Sequence, residues 1–427
     1  MFIDTDRENN NTLNFIDLFA GAGGLSEGFI QAGFNPIAHV EMNTMASKTL
    51  ETRAAYHYLK KQEGDALQIY YSYERGEISR EQLFENIPDE VTATVINEEM
   101  SDKSIKGIFN RIDSIMEDDE VHHVDVIIGG PPCQAYSLVG RAQSSHMLVP
   151  MEEDPRNELY KMYTRFLSKY SPEMFVFENV AGIITARGGV AYKNLQKELK
   201  RVGYEIECRL QNASNFGVLQ SRKRVIIIGW RKGTGHFYPD FVINNSTAIV
   251  NDLLNDLAPV ERGHENNAYA LTYAECSDYL KQSGIRTEND VVTQHIARPN
   301  CERDVQIYGL AIDAWNNNEQ RLSYEQLPEE LRTHRNTTSF RDRFKVVEGN
   351  RNACHTVLAH LSKDGHYFIH PDAAQCRSIT VREAARLQTF PDSYYFEGNR
   401  GEKFKQIGNA VPPMMARSIA EAIKEQL

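Results

Sequence analysis

From Leu13 to Trp230, short apolar runs alternate with segments of helical spacing, and no other feature narrows the possible folds as far. "LNFIDLFAGAGG" is an apolar strand running into a glycine turn, and "LSEGFIQAG" follows with helical spacing and a glycine stop. "NPIAHVE" is a second strand that ends on an acid, and "TMASKTLETRAAYHYLKK" is a long helix. "EISREQLFENI" reads as a further helix and "VTATVIN", Val91 to Asn97, as a third strand rich in β-branched residues. "SDKSIKGIFNRIDSIME" reads as a helix behind an N-cap serine, and "VDVIIGG" as the fourth strand. "EMFVFENV" and "RVIIIGW" are two more strands, with the "AYKNLQKELKRVG" helix between them. Strands and helices alternating at these lengths predict an α/β fold. Its right-handed βαβ units would build a doubly wound, mostly parallel sheet of Rossmann-like type.

After Trp230 this rhythm stops. Residues 231–402 mix short apolar runs with Asn, Pro and charged residues, which predicts a second, smaller and irregular domain. Helical order returns at "TVREAARLQTF" and "AVPPMMARSIAEAIKEQL", so residues 1–230 and 403–427 are expected to form the other domain. A chain of 427 residues suits that division. No apolar run reaches the length of a membrane span. The polar, acidic start is unlike a signal peptide and reads as a loose tail. Six scattered cysteines without a C-x-x-C pair fit a reduced cytoplasmic protein. A zinc site from Cys354, His355, His360, His366, His370 and Cys376 matches no metal-ligand spacing, and "GHYFIHPD" reads better as a strand, so no metal is expected. The formal net charge of −12 opposes non-specific nucleic-acid binding. Charge acts locally, however, and Leu331 to Arg351 carries six Arg/Lys against two Asp/Glu.

"FAGAGG", Phe19 to Gly24, lets the backbone turn tightly and a ligand approach. About twenty residues on, Glu41 ends the second strand, where a carboxylate can accept both hydroxyls of a ribose. No Lys-Ser/Thr follows the loop, which excludes a nucleotide-triphosphate cradle. A dinucleotide and another adenosine-bearing cofactor such as S-adenosylmethionine both fit. "GGPPCQ" lies at the carboxyl end of the fourth strand, where parallel sheets bind ligands. Its prolines fix φ and remove donors, so Cys133 is held rigidly. A buried structural cysteine is the bland alternative. In "FENV", Glu178 ends an apolar strand, where a carboxylate is costly unless it is paired or used. It reads either as a structural ion pair or as an acid whose pKa burial raises. In "QSRKR", Arg222 and Arg224 sit two apart and would point the same way if extended.

Nine segments, in order and across nearly the whole chain, resemble the motifs of the DNA (cytosine-5)-methyltransferases, of prokaryotic type. They are "FIDLFAGAGG", "HVE", "INEEM", "GGPPCQAYS", "DPRNELY", "ENV", "QSRKR", "TVREAARLQTFPD" and "KQIGNAVPP". The resemblance implies methyl transfer from S-adenosylmethionine to C5 of cytosine in a specific duplex DNA sequence. Cys133 would add to C6, Glu178 would protonate N3, and Arg224, with Arg222 beside it, would face O2. It also implies that Phe19 packs on the adenine, that Ala20, Gly21, Gly23 and Gly24 form the cofactor loop, and that Glu41 and Met42 take the ribose. Glu99, with Met100 beside it, would take the adenine amino group, Leu159 would close the pocket near Pro131, and Asn409, with Ala410, would return to the methionine end next to the glycine loop. Family members usually have Asp where this chain has Glu99.

A base inside a duplex cannot offer C6 to a thiol, so it must be flipped out. The loop Ala135–Asn157 is expected to close over the DNA, with Gln134, Ser137 and Arg141 touching it. Arg332, Arg335, Arg341, Arg343 and Lys345 are the expected phosphate and base contacts of residues 231–402. Arg382 and Arg386 in "TVREAARLQTFPD" are expected to orient that domain against the other. Expected partners are duplex DNA and a cognate restriction endonuclease or phage-defence system, with a monomeric state, a place at the nucleoid and no membrane. A tRNA cytosine-5 methyltransferase and a non-catalytic DNA-binding module are the alternatives.

Overall fold

The computed structural model describes residues 12–132, 159–244, 246–263, 274–334, 337–338 and 340–427, with only the backbone of Arg187. Seven strands form one sheet: β1 (Asn14–Leu18), β2 (Asn35–Glu41), β3 (Val95–Asn97), β4 (Val126–Gly129), β5 (Met174–Asn179), β6 (Tyr204–Asn212) and β7 (Lys223–Arg231). Their order is β3-β2-β1-β4-β5-β7-β6. The first five run parallel, while β7 lies antiparallel between β5 and β6. The α/β, mostly parallel expectation therefore holds, with one addition at the β6 edge.

Both faces of the sheet are buried, as its crossover helices require. Side chains alternate along each strand. Ile16, Leu18, Val40, Ile127, Phe175, Phe177, Val225 and Ile227 pack on one face under helices Ile105–Asp118, Leu159–Tyr170 and Val190–Arg201. Phe15, Val126, Ile128, Met174, Val176, Ile226 and Ile228 face α1 (Gly24–Gln31) and the C-terminal helix Pro413–Lys424. Gly28 lets those two helices touch, since a Cβ there would lie 2.4 Å from both the Cβ of Ala416 and the backbone N of Arg417.

Four sequence-based expectations need correction. "VTATVIN" is not one strand: Asp89–Ala93 is a short helix and only Val95–Asn97 pairs with β2, which offers just His39, Val40 and Glu41. "GHYFIHPD" is a turn with isolated bridges at Ile369, from Val346 and Ser378, rather than a strand. The helix read over "EISREQLFENI" is limited to Arg80–Phe84, behind a Ser79 capping box. β6 was absent from the sequence reading.

Beyond β7, a second core joins the glycine loop to the C-terminal third. Ala22 packs with Leu219, Leu253, Val357, Val381, Phe390, Tyr394 and Phe404. The Tyr394 hydroxyl donates to the Ala22 carbonyl at 2.5 Å. From α2 (Thr44–Lys61), Arg53 donates to the Ser393 carbonyl at 3.1 Å and Thr52 to Glu397 at 2.6 Å. Arg382 and Arg386 are fully buried. Arg386 bridges Asp256 and Asp392, while Arg382 donates to the carbonyls of Thr293, Pro391 and Tyr394. These guanidinium forks tie three separated stretches together at satisfied, buried hydrogen bonds.

Candidate active site

The carboxyl edge of the parallel strands gathers most of the residues singled out by the sequence. Phe19 follows β1 with a left-handed φ of 57° and packs partly on the β1–β4 core. Ala20 N donates to the Val40 carbonyl at 3.2 Å. Gly21, also left-handed at 56°, would place a Cβ with no atom of the described residues within 4 Å. Gly23 and Gly24 differ, because their missing Cβ atoms make room for protein. A Cβ on Gly23 would meet Leu50 at 2.7 Å, and one on Gly24 the Val411 carbonyl at 2.2 Å. Gly24 thus seats the Asn409–Ala410–Val411 stretch against the loop, with Asn409 exposed and Ala410 buried.

Glu41, at the tip of β2, holds the loop from the other side. Its Oε2 accepts from Gly21 N at 2.8 Å and its Oε1 from Asn43 N at 2.7 Å. Burial pushes its carboxyl above the ordinary glutamate range, against the opposing pull of those amides. Met42 beside it is 60% exposed, and Asn97 Nδ2 donates to the Glu41 carbonyl at 2.9 Å. Glu99 is exposed, with its carbonyl accepting from Ser104 Oγ, while Met100 is buried. The loop, the carboxylate and the exposed apolar lip suit an adenosine-bearing ligand.

Two strands over, β4 ends in Gly129, and Gly130 follows it. A Cβ on Gly129 would strike the Leu18 carbonyl at 2.3 Å, and one on Gly130 would sit 2.8 Å from Glu178 Oε2. Pro131 is buried and its carbonyl accepts from Asn179 Nδ2 at 3.1 Å. Pro131 and Pro132 line a small cleft with Tyr160, Phe177, Asn179 and Ile183. Leu159, half-buried, opens the neighbouring helix.

Glu178 pairs with Arg224, whose Nε lies 2.8 Å from Oε1, and each side chain is 12% exposed. The antiparallel course of β7 makes this possible. Its first residues lie at the same edge as the last residues of β5, with Glu178 opposite Ile226 and Asn179 opposite Val225. A seventh strand parallel to the others would carry Arg224 to the far edge. The ion-pair alternative raised for Glu178 is thus present, and its partner is the arginine expected to work with it.

Arg222 requires a correction, because it does not stand beside Arg224. It is fully buried and donates to the carbonyls of Val357 at 2.7 Å and Gly408 at 3.1 Å. It precedes the first paired residue of β7, so strand alternation does not govern its direction.

The basic stretch is also less available than its charge count suggests. Arg332 donates to the Leu327 and Glu325 carbonyls, and Arg343 pairs with Asp364 at 2.9 Å. Lys345 lies 3.7 Å from Asp342 and over the Tyr367 ring, whereas Arg341 is exposed. Cys133, Gln134, Ser137, Arg141, the Ala135–Asn157 loop and Arg335 lie outside the described residues. Three of the four histidines weighed as zinc ligands have other partners: His355 meets Glu348, His366 meets Tyr308, and His370 meets Glu383. Among the described residues no three His, Cys, Asp or Glu are grouped to hold a metal ion. The sequence reading missed Asn179 as the clamp on Pro131 and Gly130 as the space for the Glu178 carboxylate. "ENV" and "GGPP" were the available signals.

Comparison with known proteins gives a consistent picture. A family model described as C-5 cytosine-specific DNA methylase matches residues 13–84 and 94–425. The Type II methyltransferase M.Bpa9945I of Bacillus paralicheniformis is 40% identical, over 96% of this chain and 98% of its own length. M.DdeI of Desulfomicrobium norvegicum is 30% identical, over 96% and 88%. Among solved structures, a prophage-encoded E. coli protein described as a DNA modification methyltransferase superposes with a TM-score of 0.64. It is 23% identical and covers 97% of this chain and 99% of its own.

Proposed function

The chain belongs to the C-5 cytosine-specific DNA methylase family and methylates cytosine in DNA with S-adenosylmethionine, and from that premise we propose how its own residues carry the reaction. The cofactor, when bound, supplies an electrophilic methyl group. Gly21, Glu41 and Met42 would hold its adenosine, with Phe19 on the adenine and Asn409 at the methionine end. The open volume before Gly21 and the carboxylate beside it support this assignment. Glu99 is one methylene longer than the usual Asp, and its exposure leaves it free to approach the adenine amino group.

Cytosine C5 is a weak nucleophile until C6 is saturated. The thiolate of Cys133 forms the C6–S bond, and the ring electrons move to an enamine whose C5 is nucleophilic. Glu178 gives its proton to N3 and Arg224 faces the charge growing on O2. After methylation a base takes the C5 proton, the C6–S bond breaks, the N3 proton returns to Glu178 and the thiolate is restored. The observation that carries this reading is the Glu178–Arg224 pair, set against Gly130 two residues before the prolyl-cysteine step. Glu178→Gln should slow methyl transfer by about a hundredfold or more, within the range of general acid catalysis, while leaving cofactor affinity within about threefold. Equal losses in both would place Glu178 in the cofactor pocket instead.

Residues 231–402 select the recognised sequence, with the buried arginines of 377–386 as their buttress on the catalytic half. Arg341 is the first candidate for phosphate contact and Arg335 the second. A cognate endonuclease, a monomeric state and a cytoplasmic, nucleoid-associated location complete the proposal. Size-exclusion chromatography with light scattering tests the monomeric state.

A further inference from the structure

Arg224 sits four residues after Gln220, and the Gln220–Arg224 segment is fastened by a strap more than a hundred residues away in sequence. Ser221 N donates to the Cys354 carbonyl at 2.8 Å and Cys354 N to the Leu219 carbonyl at 3.1 Å. Val357 N donates to Gln220 Oε1 at 2.8 Å, and Thr356 Oγ1 to the Ser221 carbonyl at 2.6 Å. Arg222 closes the set by donating to the Val357 carbonyl. The segment that delivers Arg224 into β7 therefore takes its position from residues 354–357.

That strap has an anchor of its own. Glu348, 5% exposed, receives His355 N at 2.9 Å and His355 Nδ1 at 2.8 Å on one carboxylate oxygen, and Arg321 Nη2 at 2.5 Å on the other. The second ring nitrogen of His355 lies 2.6 Å from the Tyr367 carbonyl, and the ring stacks on Phe368 with centroids 4.9 Å apart. Both ring nitrogens are thus engaged and the imidazole has one orientation. Arg321 comes from the region assigned to target recognition and is 43% exposed.

We propose that Glu348 and His355 are positioning residues for methyl transfer: by locking the 354–357 strap they hold the start of β7 so that Arg224 meets Glu178. The proposal rests on the role given above to Arg224. The effect assigned to Glu348 and His355 passes through the placement of Arg224 rather than through a contact with the reacting base. Removing one partner of a buried, hydrogen-bonded charge leaves the other unsatisfied and releases the strap. A displacement of the order of an ångström at a reacting pair costs about a hundredfold in rate.

The test is a double-mutant cycle on single-turnover methyl transfer, with cofactor-product and DNA dissociation constants and the thermal midpoint measured beside it. His355→Phe keeps the stack on Phe368 and removes both ring hydrogen bonds. It should slow transfer about ten- to hundredfold, with both dissociation constants within about threefold. In an Arg224→Lys background the same substitution should change the rate by less than about twofold, because the geometry it protects is already lost. A full, multiplicative loss there would overturn the relay, as would no loss in the wild-type background. If Arg224→Lys alone transfers at the normal rate, the role of Arg224 falls and the relay with it. Thr356→Val, at a half-buried position, carries the same cycle if His355→Phe fails to fold. It should give a smaller, equally non-additive loss, and additivity would again overturn the proposal.

Discussion

Gly130→Ala tests the catalytic geometry with a single methyl group. A Cβ at that position falls 2.8 Å from Glu178 Oε2, 3.2 Å from the Glu178 carbonyl and 3.7 Å from its Cβ. Ordinary contact begins near 3.4 Å, so the carboxylate must retreat by about 0.6 Å. Its other oxygen holds Arg224 at 2.8 Å, and both groups are nearly enclosed, so the pair cannot move as a unit without disturbing β5 and β7. Overpacking of this kind costs about 1–3 kcal/mol in stability. The larger effect falls on chemistry: scaled from about a hundredfold per ångström, the rate should drop about ten- to hundredfold. The cofactor loop begins at Phe19 on another strand and is untouched. The assay is single-turnover transfer of labelled methyl to duplex DNA at saturating cofactor, with cofactor-product affinity measured by calorimetry. An unchanged rate, or a rate loss matched by lost cofactor affinity, would refute the claim that this carboxylate must sit where the glycine leaves room.

Two pH-linked predictions concern buried acids. Burial opposes the charge on Glu348, but the His355 ring and amide and the Arg321 guanidinium outweigh it and hold the carboxyl down to about 2. A depressed acid contributes stability above its unfolded value, near 4.3, and that contribution is lost as pH falls toward 2; it amounts to about 3 kcal/mol. Chemical denaturation should therefore show Glu348→Gln less stable than wild type at pH 7 by roughly this amount, with the gap narrowing below pH 4.5; a constant gap would refute the assignment. Glu74 is the opposite case, with burial pushing its carboxyl well above the ordinary range and neither oxygen hydrogen-bonded to any described residue. Its contribution is full below the unfolded value and is lost as pH rises through the folded one, so Glu74→Gln should match wild type in thermal midpoint at pH 4 and exceed it at pH 9. A variant less stable at every pH would show that the carboxylate has a partner.

What was legible in the sequence was local. β1, β2, β4 and β5 end at a glycine turn or beside an acid that strand pattern and glycine punctuation mark out, and α2 has the bounds its apolar spacing suggests. Glu41, Glu178 and the glycine loop could be placed at one sheet edge because parallel strands share that edge. The direction of β7 was not legible, since a buried run such as "RVIIIGW" reads alike in either sense. β6 carried a signal that went unread: "YEIECRLQN" alternates polar and apolar residues, as an edge strand paired on one side should. Arg222 and the basic stretch failed for a shared reason. Residue type and spacing count charges, whereas carbonyls and carboxylates contributed by distant segments decide which of them stay free for a ligand. The clamp of residues 354–357 on Gln220–Arg222 is of the same kind and needs coordinates to be seen.

Covalent trapping measures the central claim directly. Incubation with S-adenosylmethionine and a duplex carrying 5-fluorocytosine at the target position should yield a denaturation-resistant protein–DNA adduct, because fluorine cannot leave as the C5 proton does. The adduct should require the cofactor and vanish in Cys133→Ala, while that variant still binds the duplex. Methylation of ordinary DNA without any adduct on the fluorinated duplex, or an adduct that persists in Cys133→Ala, would contradict the account.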